Sequence, residues 1–243
     1  MGFAVHAAVE MSEGAGARVR RLFPLPRGPM NFDPFVLWDD FRIPAGAGFP
    51  MHSHRGFEAI SYLFQGAMTH EDNLGNRATV QGEGAQRFTA GRGITHSEMP
   101  GDEGETTGIQ LWINLPKRLK SVDPSYQQAD ADQLPCYEID SGRVRVIVGE
   151  GSPLALKTPI RYLDIQLKAG GQLQEIIPDE FRGFLYVAEG QADIGDNKID
   201  AGHALLSEGG TELLVTAKTN LRCMYCFGQP HGETIVQRGG YVD

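Results

Sequence analysis

The chain has few cysteines: Cys136, Cys223 and Cys226 are the only ones among its 243 residues. An odd number, without the basic and then apolar start of a signal peptide, argues against a disulfide-stapled secreted domain and predicts reduced thiols. Cys223 and Cys226 have CxxC spacing, but no second CxxC is present to complete a four-thiolate zinc site. We therefore interpret the cysteines as structural and expect a cytoplasmic protein.

The sequence also lacks an excess of basic residues and a long apolar run. Its net charge is −9 and its pI is about 5.3, whereas proteins that neutralise nucleic-acid phosphates are usually basic. The one dense basic cluster, at Arg18, Arg20 and Arg21, is expected to be the solvated edge of a sheet. No apolar stretch approaches the roughly 20 residues that cross a bilayer. We expect neither direct nucleic-acid binding nor membrane insertion.

Helix signals are scarce, and strand signals recur along the whole chain. The 31 glycines and 14 prolines suit short strands joined by tight turns. We expect a hairpin turn at 73–76, a strand-end turn at Asp39 and Asp40, and a short helical stretch over 116–126. The clearest β-branched or aromatic segments are 35–38, 59–64, 108–113 and 144–148.

A weak internal repeat divides the chain into two halves. Residues 57–66 (FEAISYLFQG) resemble residues 181–190 (FRGFLYVAEG), with aromatic and glycine residues in matching places. Two tandem copies of one small β-barrel are the economical explanation. We expect an all-β chain with an N-terminal barrel in residues 1–120, a linker in 121–135 and a C-terminal barrel in 136–243.

Two short runs each place two potential metal ligands at positions i and i+2. They are His52 with His54, and His96 with Glu98. Side chains at i and i+2 of a strand lie on the same face. If the two strands face each other, three imidazoles and one carboxylate converge, which is a suitable ligand set for one transition metal.

The repeat predicts that this site is present only once. Aligning the two halves removes every candidate ligand from the second: His52 matches Ile176, His54 matches Pro178, His96 matches Leu214 and Glu98 matches Thr216. The metal site is therefore expected in the N-terminal barrel alone. The isolated histidines are interpreted as surface or hydrogen-bonded residues; they are His6, His70, His203 and His231.

The first half carries the spacing of the cupin motifs. Gly46, His52, His54 and Glu58 match the first motif, and the run 91–96 matches the end of the second with glycine in place of proline. In many cupins the carboxylate ligand stands where Glu58 does. Because His54 and Glu58 share strand parity if no bulge intervenes, geometry alone leaves both Glu58 and Glu98 eligible as the fourth ligand.

A narrower resemblance, to the pirin family, rests on five runs that span most of residues 12–116. The runs are 12–21 (SEGAGARVRR), 32–35 (FDPF), 50–58 (PMHSHRGFE), 89–100 (TAGRGITHSEMP) and 110–116 (QLWINLP). The C-terminal half follows the pirin pattern more loosely, and many pirins continue into a helical tail beyond the position of Asp243. The resemblance implies two cupin barrels (double-stranded β-helix, or jelly-roll) with a metal in the N-terminal one. Its ligand pattern falls on His52, His54, His96 and Glu98, which favours Glu98 over Glu58.

The resemblance also implies a reaction. Several pirins resemble quercetin 2,3-dioxygenases, which open a flavonol ring with O2. We therefore expect one divalent metal, first iron(II), with Mn, Ni, Cu or Zn compatible with the same ligands. Glu98 would serve both as ligand and as the catalytic base that takes the substrate hydroxyl proton. Phe49, Phe57 and Trp112 either line the substrate pocket or pack in the barrel core.

A second function from a different class stays open at this point. Animal pirins are co-regulators of transcription, and some bacterial relatives are thought to modulate metabolic enzymes. The resemblance therefore also allows a non-catalytic regulator whose metal is structural or redox-sensing and which acts through a protein partner. The acidic net charge is compatible with such contacts.

Overall fold

The computed structural model describes residues 4–25, 28–102 and 104–243. Over these residues the chain is almost entirely strand, and the helical part is a short 3-10 helix at Lys117–Leu119. The predicted all-β class is therefore confirmed. Among the described residues, no helix is long and apolar enough to cross a bilayer.

The strands are short and follow one another closely along the chain. In chain order the first twelve are β1 (Ala4–Ala7), β2 (Val9–Glu13), β3 (Ala17–Phe23), β4 (Phe35–Pro44), β5 (Phe49–His54), β6 (Phe57–Gln65), β7 (Ala67–Asp72), β8 (Arg77–Gln81), β9 (Ala85–Thr89), β10 (Ile94–Pro100), β11 (Glu105–Asn114) and β12 (Ser125–Ala129). The next twelve are β13 (Cys136–Ile139), β14 (Gly142–Val148), β15 (Ile160–Leu167), β16 (Gln172–Ile177), β17 (Arg182–Glu189), β18 (Gln191–Ile194), β19 (Asn197–Asp200), β20 (His203–Glu208), β21 (Thr211–Ala217), β22 (Leu221–Gly228), β23 (Gln237–Arg238) and β24 (Tyr241–Val242).

The strand segments predicted from the sequence fall inside β4, β6, β11 and β14, and the predicted hairpin turn at 73–76 joins β7 to β8. The helical expectation for 116–126 was wrong beyond its first turn. Residues 125–129 instead form β12, which pairs with β9. Strands β4, β6, β11 and β14 could be predicted because their β-branched and aromatic residues are a local signal. The polar segment SYQQA has no such signal and becomes a strand because a neighbouring strand pairs with it.

The chain forms two compact units that exchange short segments. Residues 9–133 form the N-terminal barrel together with 154–158 and 231–243, and residues 134–153 and 159–230 form the C-terminal barrel together with 4–8. These exchanges were not expected from the sequence. They bring residues 231–243 to the barrel that carries the histidine pairs.

The N-terminal barrel consists of two antiparallel sheets, with strand orders β12-β9-β6-β11-β4-β3-β2 and β5-β10-β7-β8. Two apolar clusters lie at different heights along its strands. Phe57, Phe88 and Trp112 belong to one, and Phe41 and Leu63 belong to the other. Side chains alternate between the two faces of a strand. In β6 and β11, the residues of the two clusters therefore share a face of the sheet with the polar residues that lie between the clusters.

The C-terminal barrel repeats the same topology. Its sheets have the orders β1-β20-β17-β22-β15-β14-β13 and β16-β21-β18-β19, so β16-β21-β18-β19 corresponds to β5-β10-β7-β8. Gly66 and Gly190, matched by the sequence repeat, both follow the equivalent strand with φ of 80° and 84°. Glycine is favoured at both because this left-handed conformation crowds a Cβ. The interior of this barrel is a continuous apolar core.

Candidate metal centre

Three neighbouring strands of the four-stranded sheet each carry an i, i+2 pair of polar residues. In the order β5-β10-β7, β10 is central and pairs with both neighbours. His96 lies opposite His52 on one side and opposite Asp72 on the other, and Glu98 lies opposite His70. The shared strand parity brings all these side chains to one face of the sheet.

The three histidines predicted as ligands lie together. Their ring centroids are 4.5 Å apart for His52 and His54, 4.6 Å for His52 and His96, and 5.1 Å for His54 and His96. One ring nitrogen from each lies within 4.8 Å of the others. His96 is fully buried, His54 is 5% exposed and His52 is half-buried. Three imidazoles at this spacing can share one ion.

Backbone carbonyls orient two of the rings. His52 Nδ1 lies 2.7 Å from the Pro50 carbonyl oxygen, and His54 Nδ1 lies 3.1 Å from the Gly240 carbonyl oxygen. A carbonyl only accepts, so each Nδ1 carries the proton and each Nε2 keeps a lone pair. Nε2 of His96 is buried and has no hydrogen-bond partner among the described residues. The donor atoms therefore suit a metal, which binds unprotonated imidazole nitrogen.

The surroundings keep the buried imidazoles neutral. Burial, with added repulsion from the neighbouring His96 and His52, lowers the pKa of His54 to about 3. Burial and the repulsion from His52 and His70 together lower the pKa of His96 to about 2. At neutral pH neither ring competes for a proton, so both lone pairs are available to an ion.

Glu98 is held by one of its two carboxylate oxygens. Ser61 Oγ donates to Glu98 Oε1 at 2.8 Å, and Gln86 Nε2 donates to the same oxygen at 2.6 Å. No described residue donates to Oε2. The side chain is 5% exposed, and one of its oxygens lies within 4.8 Å of a nitrogen of His70 and one of His96. Oε2 is thus the oxygen left for an ion or a substrate proton.

Glu58, the alternative fourth ligand, lies elsewhere. Its Oε1 accepts from Thr89 Oγ1 at 2.8 Å, and its Oε2 accepts from the backbone N–H of Lys157 at 2.8 Å. Burial raises the pKa of this carboxyl. The parity argument for Glu58 fails because the strand breaks at residues 55–56 between His54 and β6. The two residues between β5 and β6 belong to neither strand, and one of them is a glycine with positive φ. The alternation of side chains in β5 therefore does not continue into β6.

A cavity of about 750 Å³ opens beside the histidines. His52, His54 and Glu98 line it together with apolar side chains that include Leu37, Phe41, Phe49, Met68 and Trp112. Two of the three aromatic residues considered from the sequence, Phe49 and Trp112, therefore line this cavity. The third, Phe57, is fully buried and stacks on Trp112 with centroids 4.1 Å apart. The volume is in the range of small-molecule sites, which is about 300–1,000 Å³.

Comparison with known proteins places this chain in a family. The family model described as Pirin matches residues 16–113, and the model described as Pirin C-terminal cupin domain matches residues 162–243. A pirin-like protein of Solanum lycopersicum is 40% identical over 240 residues, which cover 95% of this chain and 82% of that protein. The chain belongs to the pirin family.

Solved structures related to this pirin-family chain share its whole fold. A quercetin 2,3-dioxygenase from Acinetobacter baumannii is 28% identical with a TM-score of 0.90, covering 98% of this chain and 90% of that one. A bacterial pirin from Escherichia coli in complex with nickel(II) is 22% identical with a TM-score of 0.78, covering 94% and 99%. The second likeness concerns the fold alone.

Polar residues cross the large sheet of this pirin barrel in one row. Arg21 on β3, Asp39 on β4, Gln110 on β11, Ser61 on β6 and Gln86 on β9 are consecutive cross-strand partners. One end of the row, Ser61 with Gln86, holds the Glu98 carboxylate. The other end, Arg21 with Asp39, lines the cavity. The cavity therefore has polar groups both beside the histidines and away from them.

Two sequence interpretations of this row were wrong. Asp39 and Asp40 do not form a strand-end turn; they are buried in the middle of β4. Arg21 binds Asp39 through two hydrogen bonds of 2.8 and 2.6 Å, and Arg20 pairs with Asp40. The basic cluster is not a sheet edge either, because β2 lies outside β3. Carboxylates in a strand interior are stable when a guanidinium satisfies them, and the sequence showed no sign of that pairing.

Sequence reasoning missed the third polar pair, His70 with Asp72. His70 is hydrogen-bonded, one of the two alternatives expected for it, but its partners were not foreseen: its Nε2 lies 3.0 Å from Asp72 Oδ2 and its Nδ1 lies 3.4 Å from His96 Nδ1. Both side chains are fully buried. A usable signal was present: His70-Glu71-Asp72 has the same i, i+2 form as the two runs that were selected.

Residues 231–243 contribute to the site from the far end of the chain. Besides the Gly240 carbonyl on His54, the backbone N–H of Arg55 donates to the same carbonyl, and the N–H of Val242 donates to Arg55 O. Lys120 Nζ donates to Val242 O at 2.8 Å. These contacts hold residue 240 against the His54 ring.

The C-terminal barrel does not repeat the site. Among the described residues, both groups that could hold a metal lie in the N-terminal barrel. The residue-by-residue match of the two halves, however, puts the positions equivalent to His52 and His96 on the outer face of their strands. Ile176 and Leu214, matched to histidines, are 59% and 47% exposed, and the neighbouring residues Ile177 and Leu213 face the core. A one-residue slip reverses every face of a strand.

Proposed function

We propose that this protein is a metal-dependent dioxygenase that opens quercetin-like flavonols with O2. The observation that carries the proposal is the cavity of about 750 Å³, whose wall combines His52, His54 and Glu98 with apolar and aromatic side chains. A planar aromatic substrate can pack on that apolar wall while its enol oxygen reaches the histidines. Likeness to the Acinetobacter baumannii quercetin 2,3-dioxygenase supports the substrate class.

The ligands we propose are His52, His54, His96 and Glu98. Their donor atoms fit a divalent transition metal, since three ring nitrogens have lone pairs and Glu98 Oε2 is not engaged by a described residue. Iron(II) is our first choice on the family resemblance, and Mn, Ni, Cu and Zn suit the same atoms. The nickel(II) complex of the Escherichia coli pirin supports a divalent ion at this fold.

A divalent metal held here would supply Lewis acidity toward the substrate oxygen and redox chemistry toward O2. The protein's own part is positioning and proton handling. Glu98 Oε1 is anchored by Ser61 and Gln86, so Oε2 is held in a defined direction. We propose that Oε2 accepts the proton of the flavonol 3-hydroxyl in place of binding the metal, leaving the substrate as an enolate and Glu98 as a carboxylic acid.

The apolar wall would orient the rings and exclude water. Phe49 and Trp112 lie beside the histidines, with ring centroids 6.5 Å from His52 and 4.9 Å from His54 respectively. Phe41 lies two residues after Asp39 on β4 and so shares its face. At that end two carboxylates, Asp39 and Glu13, face the one guanidinium of Arg21, and this acidic balance favours a substrate with phenolic hydroxyl groups over one with a carboxylate. Exclusion of water strengthens the polar contacts within the site.

The test is anaerobic loading of the protein with Fe(II), Mn(II), Ni(II) or Cu(II), followed by addition of quercetin and O2. Metal-dependent loss of quercetin with release of CO is the expected result. His96→Asn should abolish stoichiometric metal binding, and Glu98→Gln should abolish turnover. Absence of quercetin loss and CO with every metal would refute the enzymatic proposal. Metal binding without turnover would instead favour the regulator that acts through a protein partner. The cytoplasmic location stays a prediction.

A further inference from the structure

The Asp72 carboxylate is an unusually well-fixed hydrogen-bond acceptor. Its Oδ1 accepts from the backbone N–H of Leu74 at 2.9 Å and of Asn76 at 3.1 Å. Its Oδ2 accepts from Asn76 Nδ2 at 2.9 Å and lies 3.0 Å from His70 Nε2. The hairpin turn between β7 and β8 thereby locks this side chain, and a carboxylate in such a place only accepts.

The proton positions of the two buried histidines follow from that acceptor. Because Asp72 accepts, His70 Nε2 must carry the proton, and neutral His70 then has its lone pair on Nδ1. That lone pair lies 3.4 Å from His96 Nδ1, so Nδ1 is the protonated nitrogen of His96. The remaining nitrogen, His96 Nε2, is the buried atom without a hydrogen-bond partner among the described residues.

We propose that Asp72 and His70 are positioning residues that hold His96 in the tautomer whose Nε2 binds the metal. The proposal rests on the metal site proposed above and adds two residues to it that bind neither metal nor substrate. Partners of this kind fix the ring orientation and raise the basicity of a metal-binding histidine.

Packing holds the arrangement in place. Tyr126 stacks on His70 with centroids 4.2 Å apart and planes 19° apart. Cross-strand pairing places Asp72 opposite His96. His70 and Asp72 have no exposed side-chain surface. The His70 ring can rotate only if the residues packed around it move, so the fold fixes the direction of its hydrogen bonds.

Four variants separate positioning from packing. Asp72→Asn keeps the side-chain shape, but its amide NH2 would donate to His70 Nε2. The proton of His70 would then move to Nδ1, and His96 would have to carry its proton on Nε2. His70→Gln offers an amide oxygen that can accept from His96 Nδ1, whereas His70→Phe keeps the stack on Tyr126 but accepts nothing. Glu71→Gln is the matched control, because Glu71 is exposed on the other face of β7.

The measurement is metal affinity by competition with a chelator, using Ni(II) and Fe(II), for the full chain. Asp72→Asn and His70→Phe should weaken affinity by about 10- to 100-fold, and His70→Gln should recover much of that loss. Glu71→Gln should match the wild type. Equal affinity of wild type and His70→Phe would overturn the proposal. Equal loss in the glutamine and phenylalanine variants would also overturn it, because His70 would then be a ligand itself.

A second measurement does not depend on metal binding. In metal-free wild-type protein labelled with 15N-histidine, ring nitrogen shifts should show His96 protonated on Nδ1 and bare on Nε2. Asp72→Asn should reverse this pattern. The opposite tautomer in the wild type would refute the inference. If the wild type shows the expected tautomer but binds no metal, the proposed function fails while the hydrogen-bond assignment stands.

Discussion

Acid should destabilise the metal-free N-terminal barrel well above the pH at which carboxylates titrate. The pKa of His54 is lowered to about 3 and that of His96 to about 2, chiefly by burial. In the unfolded chain both return to about 6.5. Below that value the unfolded chain binds protons that the folded chain does not, so the free energy of unfolding falls as the pH falls.

The size of the effect follows from the pKa difference. At about pH 5 each imidazole lies roughly 1.5 units below its unfolded pKa, and one unit corresponds to about 1.4 kcal/mol, so each contributes a loss of about 2 kcal/mol. Domains are stable by only about 5–15 kcal/mol. Burial also raises the pKa of Asp39 and Glu58. These two carboxyls therefore increase the free energy of unfolding as the pH falls further, opposite to the histidines. A comparison between variants therefore isolates the histidine contribution.

The assay is urea unfolding with chelator present at about pH 8 and about pH 5. Both tryptophans, Trp38 and Trp112, lie in the N-terminal barrel, so their fluorescence reports on that barrel. The stability advantage of wild type over His96→Asn should shrink by about 2 kcal/mol between the two pH values. His203→Asn, in the C-terminal barrel, should follow the wild type. An advantage that is unchanged with pH would refute a buried, neutral His96.

Three further predictions concern the ligand set. Glu58→Gln should lower the free energy of unfolding by about 1–3 kcal/mol, because an amide NH2 meets buried donors, yet leave metal stoichiometry unchanged; loss of the metal would restore Glu58 as the ligand. Gly240→Ala places a Cβ 2.6 Å from His54 Nδ1 and should weaken metal affinity. Gly239→Ala is the control: its Cβ meets open space, but its φ of 58° should cost about 1 kcal/mol of stability while leaving metal affinity unchanged. A metal at about 100 times its Kd should stabilise the wild type by about 2.7 kcal/mol in a thermal melt, and His96→Asn should show no such gain.

The strands and the first two i, i+2 pairs of polar residues could be predicted because their signals are local. Two-residue periodicity in β6 and β11 and the i, i+2 spacing of His52 with His54 are properties of one segment, independent of its partners. The internal repeat added the two-barrel organisation in the same way. The repeat could not supply the register between halves, since one residue gained or lost in a loop reverses the faces of the strand that follows.

The chain's order of residues was sufficient to predict the all-β class, the doubled barrel and a cluster of three histidines. The folded structure was needed to place Glu98 beside His96 and Glu58 elsewhere, since the break at residues 55–56 removes the strand parity that the sequence suggested for His54 and Glu58. Pairing also buried Asp39 against Arg21 and set His70 beside His96. These contacts join segments 18 and 26 residues apart, and Gly240 reaches His54 across 186 residues. A hydrogen bond depends on where two backbones meet, and that placement is a property of the assembled sheets rather than of either segment.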